Sequence, residues 1–345
     1  MHSILSSFLC QLILSLTLLL SGAWGALALY HQGPFQSARP MVWLVCATWA
    51  AIAIAAVILI WTRHGPRALA VYALAFAALY AWWSMIQPSD TRDWEPDVSR
   101  HLSADVDGST VTLRNVRNFD WRGNADYTER WEIRHYDLDS LRSVDMALSY
   151  WMGPAIAHTL VSFGFDDGHG GTDHVVFSIE IRKERGEAFS TIGGFFKRFE
   201  LSLVASDERD VLRVRTNVRG EDVYLYRVAM GRDAARSLFL AYIAKSEALA
   251  AQPRFYHTVT ANCTTIVYEM ARRIVRGLPM DWRLLASGYL PEYLDRIGGL
   301  AGHGDLETLR AAGRITERAQ LADQDPEFSR AIRRGVPGME TEGGP

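Results

Sequence analysis

Of the three cysteines in the chain, Cys10 and Cys46 lie inside long apolar runs, where a thiol serves as a small apolar side chain. Cys263 is different. It stands in the loop Tyr256-His-Thr-Val-Thr-Ala-Asn262-Cys263, at the point where Thr264 to Val275 takes on the apolar spacing of a helix. A thiol at the first turn of a helix meets unpaired N–H groups and the positive end of the helix dipole, and both favour the thiolate. A nucleophile placed there needs a proton acceptor that later protonates a leaving group, and imidazole titrates in the right range for both tasks.

The histidines past the apolar region are His101, His135, His158, His169, His174, His257 and His303. His158 opens the apolar run Thr-Leu-Val-Ser-Phe-Gly-Phe, so it sits on a strand, which can hold a base in register. The pair expected to do chemistry is Cys263 as nucleophile and His158 as base. The competing readings are an inert packed thiol and a histidine that merely bonds a neighbouring backbone group.

Other chemistries find less support. Asp166, Asp167 and Asp173 with His169 and His174 form an acidic, glycine-rich stretch, but the spacing fits neither a calcium loop nor an HExxH helix. A turn joining two strands is the expectation there, and no metal or other cofactor is called for. The chain has no GxSxG elbow and no GxxxxGK loop, which argues against a serine hydrolase or an NTPase. A formal charge of −3, with no basic stripe interleaved with aromatics, offers no surface for nucleic acid. Trp121, Trp131, Trp151 and Trp282 are assigned to the core.

The elements that must position the pair follow from the rest of the chain. Residues 4–30, 41–62 and 68–86 are each long and apolar enough to cross a bilayer, which needs about 20 residues. Trp24, Tyr30, Trp43, Trp61, Trp82 and Trp83 lie near the ends of these runs, as rings at the headgroup level do. The loop between the second and third runs carries Arg63 and Arg67, which places it and the N-terminus in the cytoplasm and everything after Gln87 outside. A cleaved signal peptide is the rival for the first run, because Gly25-Ala26-Leu27-Ala28 offers small residues, although Met1-His2-Ser3 lacks a basic start. Residues 1–87 are then a membrane anchor, 88–104 a polar linker, 105–334 an extracytoplasmic domain, and 335–345 a disordered tail.

Within that domain, 110–116, 130–136, 158–165, 174–182, 211–218 and 222–228 alternate as strands. Asp233 to Leu249, capped by Asp233, and Cys263 to Val275, stopped by Gly277 and Pro279, read as helices. The domain is expected to be α+β, strands first and helices after. A lone thiol on the oxidising side of a membrane has no disulfide partner within the chain, which again points to a reactive group.

The segments Ile156-Ala-His158-Thr-Leu-Val-Ser-Phe-Gly-Phe, Ser178-Ile-Glu180-Ile-Arg182 and Asn262-Cys263-Thr-Thr resemble the Lnb-type periplasmic domain family over roughly residues 110 to 300. More distantly, a histidine-led strand followed much later by Tyr256, six residues and Cys263, with Asn262 before the cysteine, is similar to the lecithin retinol acyltransferase family. The resemblance implies a permuted papain-like fold in the periplasm of a bacterial inner-membrane protein. It implies a Cys–His acyl-enzyme route: acyl transfer or hydrolysis on a lipid or lipoprotein partner, with transfer to a lipoprotein amino terminus as one form. A third polar group would orient the imidazole, and Glu180 is favoured over Ser178 and His174 on the same strand face. Asn262, Tyr256 and Ser178 are candidates for substrate or oxyanion contacts, beside the backbone N–H of Cys263. The permuted enzymes often carry a second histidine where this chain has Phe177, and His257 follows the tyrosine where many relatives have asparagine. A cell-wall cysteine peptidase or amidase needs the same pair, and an idle binding module would keep the thiol unreactive. The residues carry no signal for an oligomeric state.

Overall fold

The computed structural model describes residues 2–339, with side chains from Phe8 onward. It divides into two compact units: residues 1–89 together with 190–199, and residues 90–189 together with 200–345.

The first unit is built on α1 (His2–Gln32), α2 (Arg39–Leu59) and α3 (Gly65–Met85), all long and apolar enough to cross a membrane. Proline at the start of α2 and α3 presets the first turn, where its missing N–H costs nothing. A Cβ on Gly25 would lie 2.4 Å from the Trp49 ring nitrogen, so the absence of a side chain is what lets α1 approach α2 there. Trp49 Nε1 donates to the Gly22 carbonyl at 3.0 Å, which satisfies its one polar atom inside an apolar interface. Segment 190–199 leaves the other unit's sheet and packs with these helices. Its Phe196 ring meets Trp24 and His31, and the Lys197 ammonium lies over Trp83 while donating to the carbonyls of Trp83 and Ile86.

The second unit is a mixed α/β domain around an eight-stranded sheet. Its strands are β1 (Ser103–Asp107), β2 (Thr110–Arg117), β5 (Trp131–Asp137), β6 (Leu141–Tyr150), β7 (Ala157–Asp166), β8 (Thr172–Arg182), β9 (Glu200–Ser206) and β10 (Asp222–Arg227). A two-residue pair, β3 (Asp120–Trp121) and β4 (Tyr127–Thr128), stands apart. The run β10-β6-β7-β8-β9 is antiparallel throughout. It joins β2 through the single parallel pair Arg117↔Ser206, and β2 is flanked by β1 and β5.

Both faces of the sheet are covered. On one, Phe163 and Phe177 meet Phe239 and Tyr242 of α5 (Arg232–Ala251). On the other, Ala147, Leu160, Val176, Val223 and Leu225 are covered by α4 (Glu208–Arg213), which contributes Val211 and Leu212, and by the C-terminal helices. After α6 (Cys263–Ile274) come α7 (Leu290–Arg296), α8 (Leu306–Gly313), α9 (Thr316–Leu321) and α10 (Phe328–Arg333).

Four expectations change. Residues 211–218 form helix, not strand: α4 starts at the cap Asp207, whose side chain accepts from the Arg209 amide, and continues into a π-helical segment, Val214–Val218. Asp233 sits in the first turn of α5, whose cap is Gly231. The expected linker is part of the domain: Trp94, Asp97, Val98 and Leu102 are buried, the Glu95 amide bonds the Lys183 carbonyl, and β1 begins at Ser103. Val336 and Met339 of the expected disordered tail are buried in the core, and residues 340–345 lie outside the described residues.

Candidate functional site

The site begins with how α6 starts. Asn262 is its cap, and its side-chain oxygen accepts from the amides of Thr264 and Thr265 at 3.0 and 2.9 Å. The Thr265 hydroxyl in turn accepts from the Asn262 backbone amide at 3.0 Å, closing a capping box. Asn262 Nδ2 donates to the Thr258 carbonyl at 2.7 Å. The side-chain oxygen and one of the two amide protons are spent on shaping the loop, so Asn262 serves as the cap of α6. The cap occupies the amides of Thr264 and Thr265 and leaves the Cys263 amide outside it. The turn before it is pinned by two 3.0 Å backbone bonds between His257 and Ala261, with His257 Nδ1 accepting from the Thr260 amide at 3.2 Å.

His158 comes to this helix end on β7. The last cross-strand pair between β7 and β8 is Leu160↔Ser178, and beyond it the strands stop pairing. Just past that pair, the Thr159 backbone bears on the Cys263 sulfur, and the Thr159 and Thr264 hydroxyls meet at 3.0 Å. Cys263 is within electrostatic reach of the His158 imidazole. His158 Nε2 lies 2.7 Å from Ser178 Oγ and 3.0 Å from Glu180 Oε1, and the Ser178 hydroxyl donates to that same carboxylate oxygen at 2.7 Å. Nε2–H is thus committed to the Ser178–Glu180 pair, which leaves Nδ1 for the thiol.

Electrostatics follow from this arrangement. Burial opposes a charged imidazole, but the Glu180 carboxylate outweighs it and His158 is pushed up to about 9. Burial likewise opposes a thiolate, yet His158, the Thr159 amide and the Thr264 hydroxyl bring the Cys263 thiol below its ordinary value. Glu180, whose burial works the other way, is held well below the usual carboxylate range by His158, Arg215 and Ser178. A thiolate–imidazolium pair backed by a carboxylate is what these three shifts describe.

The sequence candidates fall as follows. Cys263, His158, Ser178 and Glu180 form one cluster, with Ser178 against the imidazole instead of at a substrate position. Tyr256 is buried, within electrostatic reach of Cys263 and Glu180. His174 lies at the other end of β8, paired with Gly164, away from His158. Phe177 stacks on Tyr242 on the opposite face, so it contributes only to the core. The aspartates of the β7–β8 turn accept from its own amides: Asp167 takes those of His169 and Gly171 at 2.7 and 2.8 Å.

Two features escaped sequence reasoning. Arg215, in the π-helical segment, reaches Glu180 Oε1 at 3.2 Å and Glu221 Oε2 at 3.1 Å. The segment around Ser287 is the other: its hydroxyl bonds the Ala157 carbonyl and amide at 2.6 and 3.0 Å, directly beside His158. A Cβ on Gly288 would lie 2.0 Å from the Pro154 carbonyl oxygen, so only glycine lets this segment press so close. Of the four tryptophans assigned to the core, Trp121 is fully buried and Trp131 partly so. Trp151 and Trp282 are 43% and 57% exposed, in the segments that lead into His158 and Ser287, which removes them from the core.

No curated protein and no solved structure matches the chain. Residues 127–288 match the Lnb N-terminal periplasmic domain family, a span that holds His158, Ser178, Glu180 and Cys263 together and follows three helices long and apolar enough to cross a membrane.

Proposed function

We propose that the protein is a bacterial inner-membrane thiol enzyme, N-terminus in the cytoplasm, whose periplasmic domain transfers or hydrolyses acyl groups of lipids or lipoproteins through an acyl-Cys263 intermediate. One observation carries the reading: a buried thiol at the first position of a helix, its charge favoured by a neighbouring imidazole that a serine and a carboxylate hold.

The chemistry this arrangement supports is nucleophilic acyl transfer. The Cys263 thiolate attacks an ester or amide carbonyl, forming an S–C bond, and the oxyanion that develops is met by the unspent Cys263 amide. When the C–O or C–N bond breaks, the His158 imidazolium gives its proton to the leaving group. An amine or water then attacks the thioester, loses a proton to the neutral imidazole, and the thiolate leaves. The order of the chain, histidine strand before cysteine helix, is that of a permuted papain-like enzyme. Exposed Trp151, Ile156, Val259, Trp282 and Leu285 belong to the segments that frame His158 and Cys263, and an apolar rim suits an acyl chain better than a polar cell-wall peptide.

The test uses the full-length protein in detergent micelles, incubated with phospholipid carrying a labelled acyl chain, followed by mass analysis of the Cys263 peptide. A hydroxylamine-labile acyl adduct, absent in Cys263→Ala and strongly reduced in His158→Ala, is expected. No adduct from lipid, together with turnover of a cell-wall peptide, would replace acyl transfer by a peptidase. A thiol whose reactivity is indifferent to His158 would leave only a binding module.

A further inference from the structure

Glu180 cannot act on His158 unless something keeps a largely buried carboxylate charged and aimed. Glu180 Oε1 takes three groups at once: the imidazole at 3.0 Å, the Ser178 hydroxyl at 2.7 Å and Arg215 Nη2 at 3.2 Å. The second arm of the Arg215 fork reaches Glu221 Oε2 at 3.1 Å, and Ser149 donates to that same oxygen. Ser149 is in turn the cross-strand partner of His158 on β6. The contacts therefore close into a ring, His158–Glu180–Arg215–Glu221–Ser149, that returns to the strand it started from. Arg215 itself is buried and fixed by a π-helical segment, a local geometry that an uninterrupted α-helix would not hold without strain.

We propose that Arg215 is the positioning residue of this site, acting through Glu180 on His158 and Cys263 and thereby setting the pH range in which the thiol reacts. The inference rests on the reading of Cys263 and His158 as nucleophile and base. Other charges face the same carboxylate, but they are engaged elsewhere or more remote. Arg117 is within electrostatic reach of Glu180, yet its guanidinium is spent on Asp210 at 2.8 and 3.0 Å and on the Asp97 carbonyl. Arg219 bears on Glu180 and stands 3.9 Å from Glu221, and Tyr256 senses both Glu180 and Cys263. Among the described residues, Arg215 is the arginine or lysine in ion-pair contact with Glu180.

Without Arg215 the buried Glu180 holds its charge less well and supports the His158 imidazolium less, so the thiolate-forming limb is displaced upward. The experiment is the rate of iodoacetamide alkylation against pH, on full-length protein in micelles, followed on the Cys263 peptide. Arg215→Gln is expected to move the acid limb up by about one pH unit, a rate about tenfold lower below that limb, while Arg215→Lys stays near the native profile. A profile that falls in height at every pH without moving would make Arg215 merely structural and overturn the proposal. Should Arg215→Gln leave Glu180 too costly to bury, Glu180→Gln with Arg215→Gln removes both charges and is the better-tolerated change. Its profile must then coincide with that of Glu180→Gln alone, since Arg215 acts through Glu180, and independent, additive displacements would overturn the proposal. A native acid limb already at the ordinary thiol range would overturn the site reading and this inference together; a native limb below that range with an unmoved Arg215→Gln profile overturns this inference alone.

Discussion

At the scale of single residues, the site works by opposing burial with specific charge. Cys263, His158 and Glu180 are all costly to ionise in a low-dielectric place, and each is ionised because of the next. Acyl transfer by such a triad needs the thiolate and the imidazolium together, so the rate rises with pH as the lowered Cys263 thiol ionises. It falls again as His158 loses its proton near pH 9. The measurement is the pH dependence of acyl-adduct formation on Cys263. Replacing Glu180 by glutamine removes the main influence that raises His158, so the alkaline limb is expected to move down, with a rate loss of about 10- to 100-fold at pH 8. An alkaline limb that stays near pH 9 in Glu180→Gln would remove the carboxylate from the triad. Cys263 was legible in the sequence because a helix start is a local feature, whereas His158 was singled out by the resemblance of its strand to a known family. Arg215 was not, because nothing near it in the chain shows that its side chain ends on β8.

At the scale of elements, the same cause explains which assignments held. The segments around His158, Ser178 and Cys263 could be read because their apolar residues mark faces that are buried in the ordinary way. Residues 211–218, Val-Leu-Arg-Val-Arg-Thr-Asn-Val, alternate like a half-buried strand, but Arg213 and Arg215 are buried in ion pairs, so polarity there does not mark solvent. The helix was signalled instead by Asp207 at the cap and by Glu208 and Asp210 in the first turn, where negative charge suits the dipole. Strands β6 and β9 were missed for a related reason: their inward positions include Asp145, Ser149, Ser202 and Ser206, all fully buried. The largest of these buried charge groups clasps the C-terminal helices to the sheet. Arg333 of α10 holds Asp145 at 2.9 Å and Glu208 at 2.7 Å, and all three are shut off from water. Arg333→Ala leaves the buried Glu208 without a cation and Asp145 with Arg227 alone, and is expected to cost about 3–5 kcal/mol in urea unfolding of the detergent-solubilised protein. A loss below about 1 kcal/mol would mean that solvent reaches the clasp once the arginine is gone.

At the scale of the whole molecule, function depends on which side of the membrane the thiol occupies. Cys10 and Cys46 lie within α1 and α2, so Cys263 is the one cysteine of the sheet domain and has no disulfide partner within it. The loop Trp61 to His64 and the first turn of α3 carry Arg63 and Arg67, and holding two arginines in the cytoplasm costs far less than translocating them. With three crossings, Arg63 inside requires the N-terminus inside and Ser89 outside. In a background with Cys10, Cys46 and Cys263 replaced by alanine, a membrane-impermeant maleimide added to spheroplasts is expected to label Ser89→Cys and to spare His64→Cys until the membrane is opened. The reverse pattern would put the domain in the cytoplasm, where glutathione keeps thiols reduced and a low-pKa cysteine needs no isolation. Labelling of both from outside would mean that α3 does not cross, since His64 and Ser89 lie just beyond its two ends and can share a side only if it fails to span.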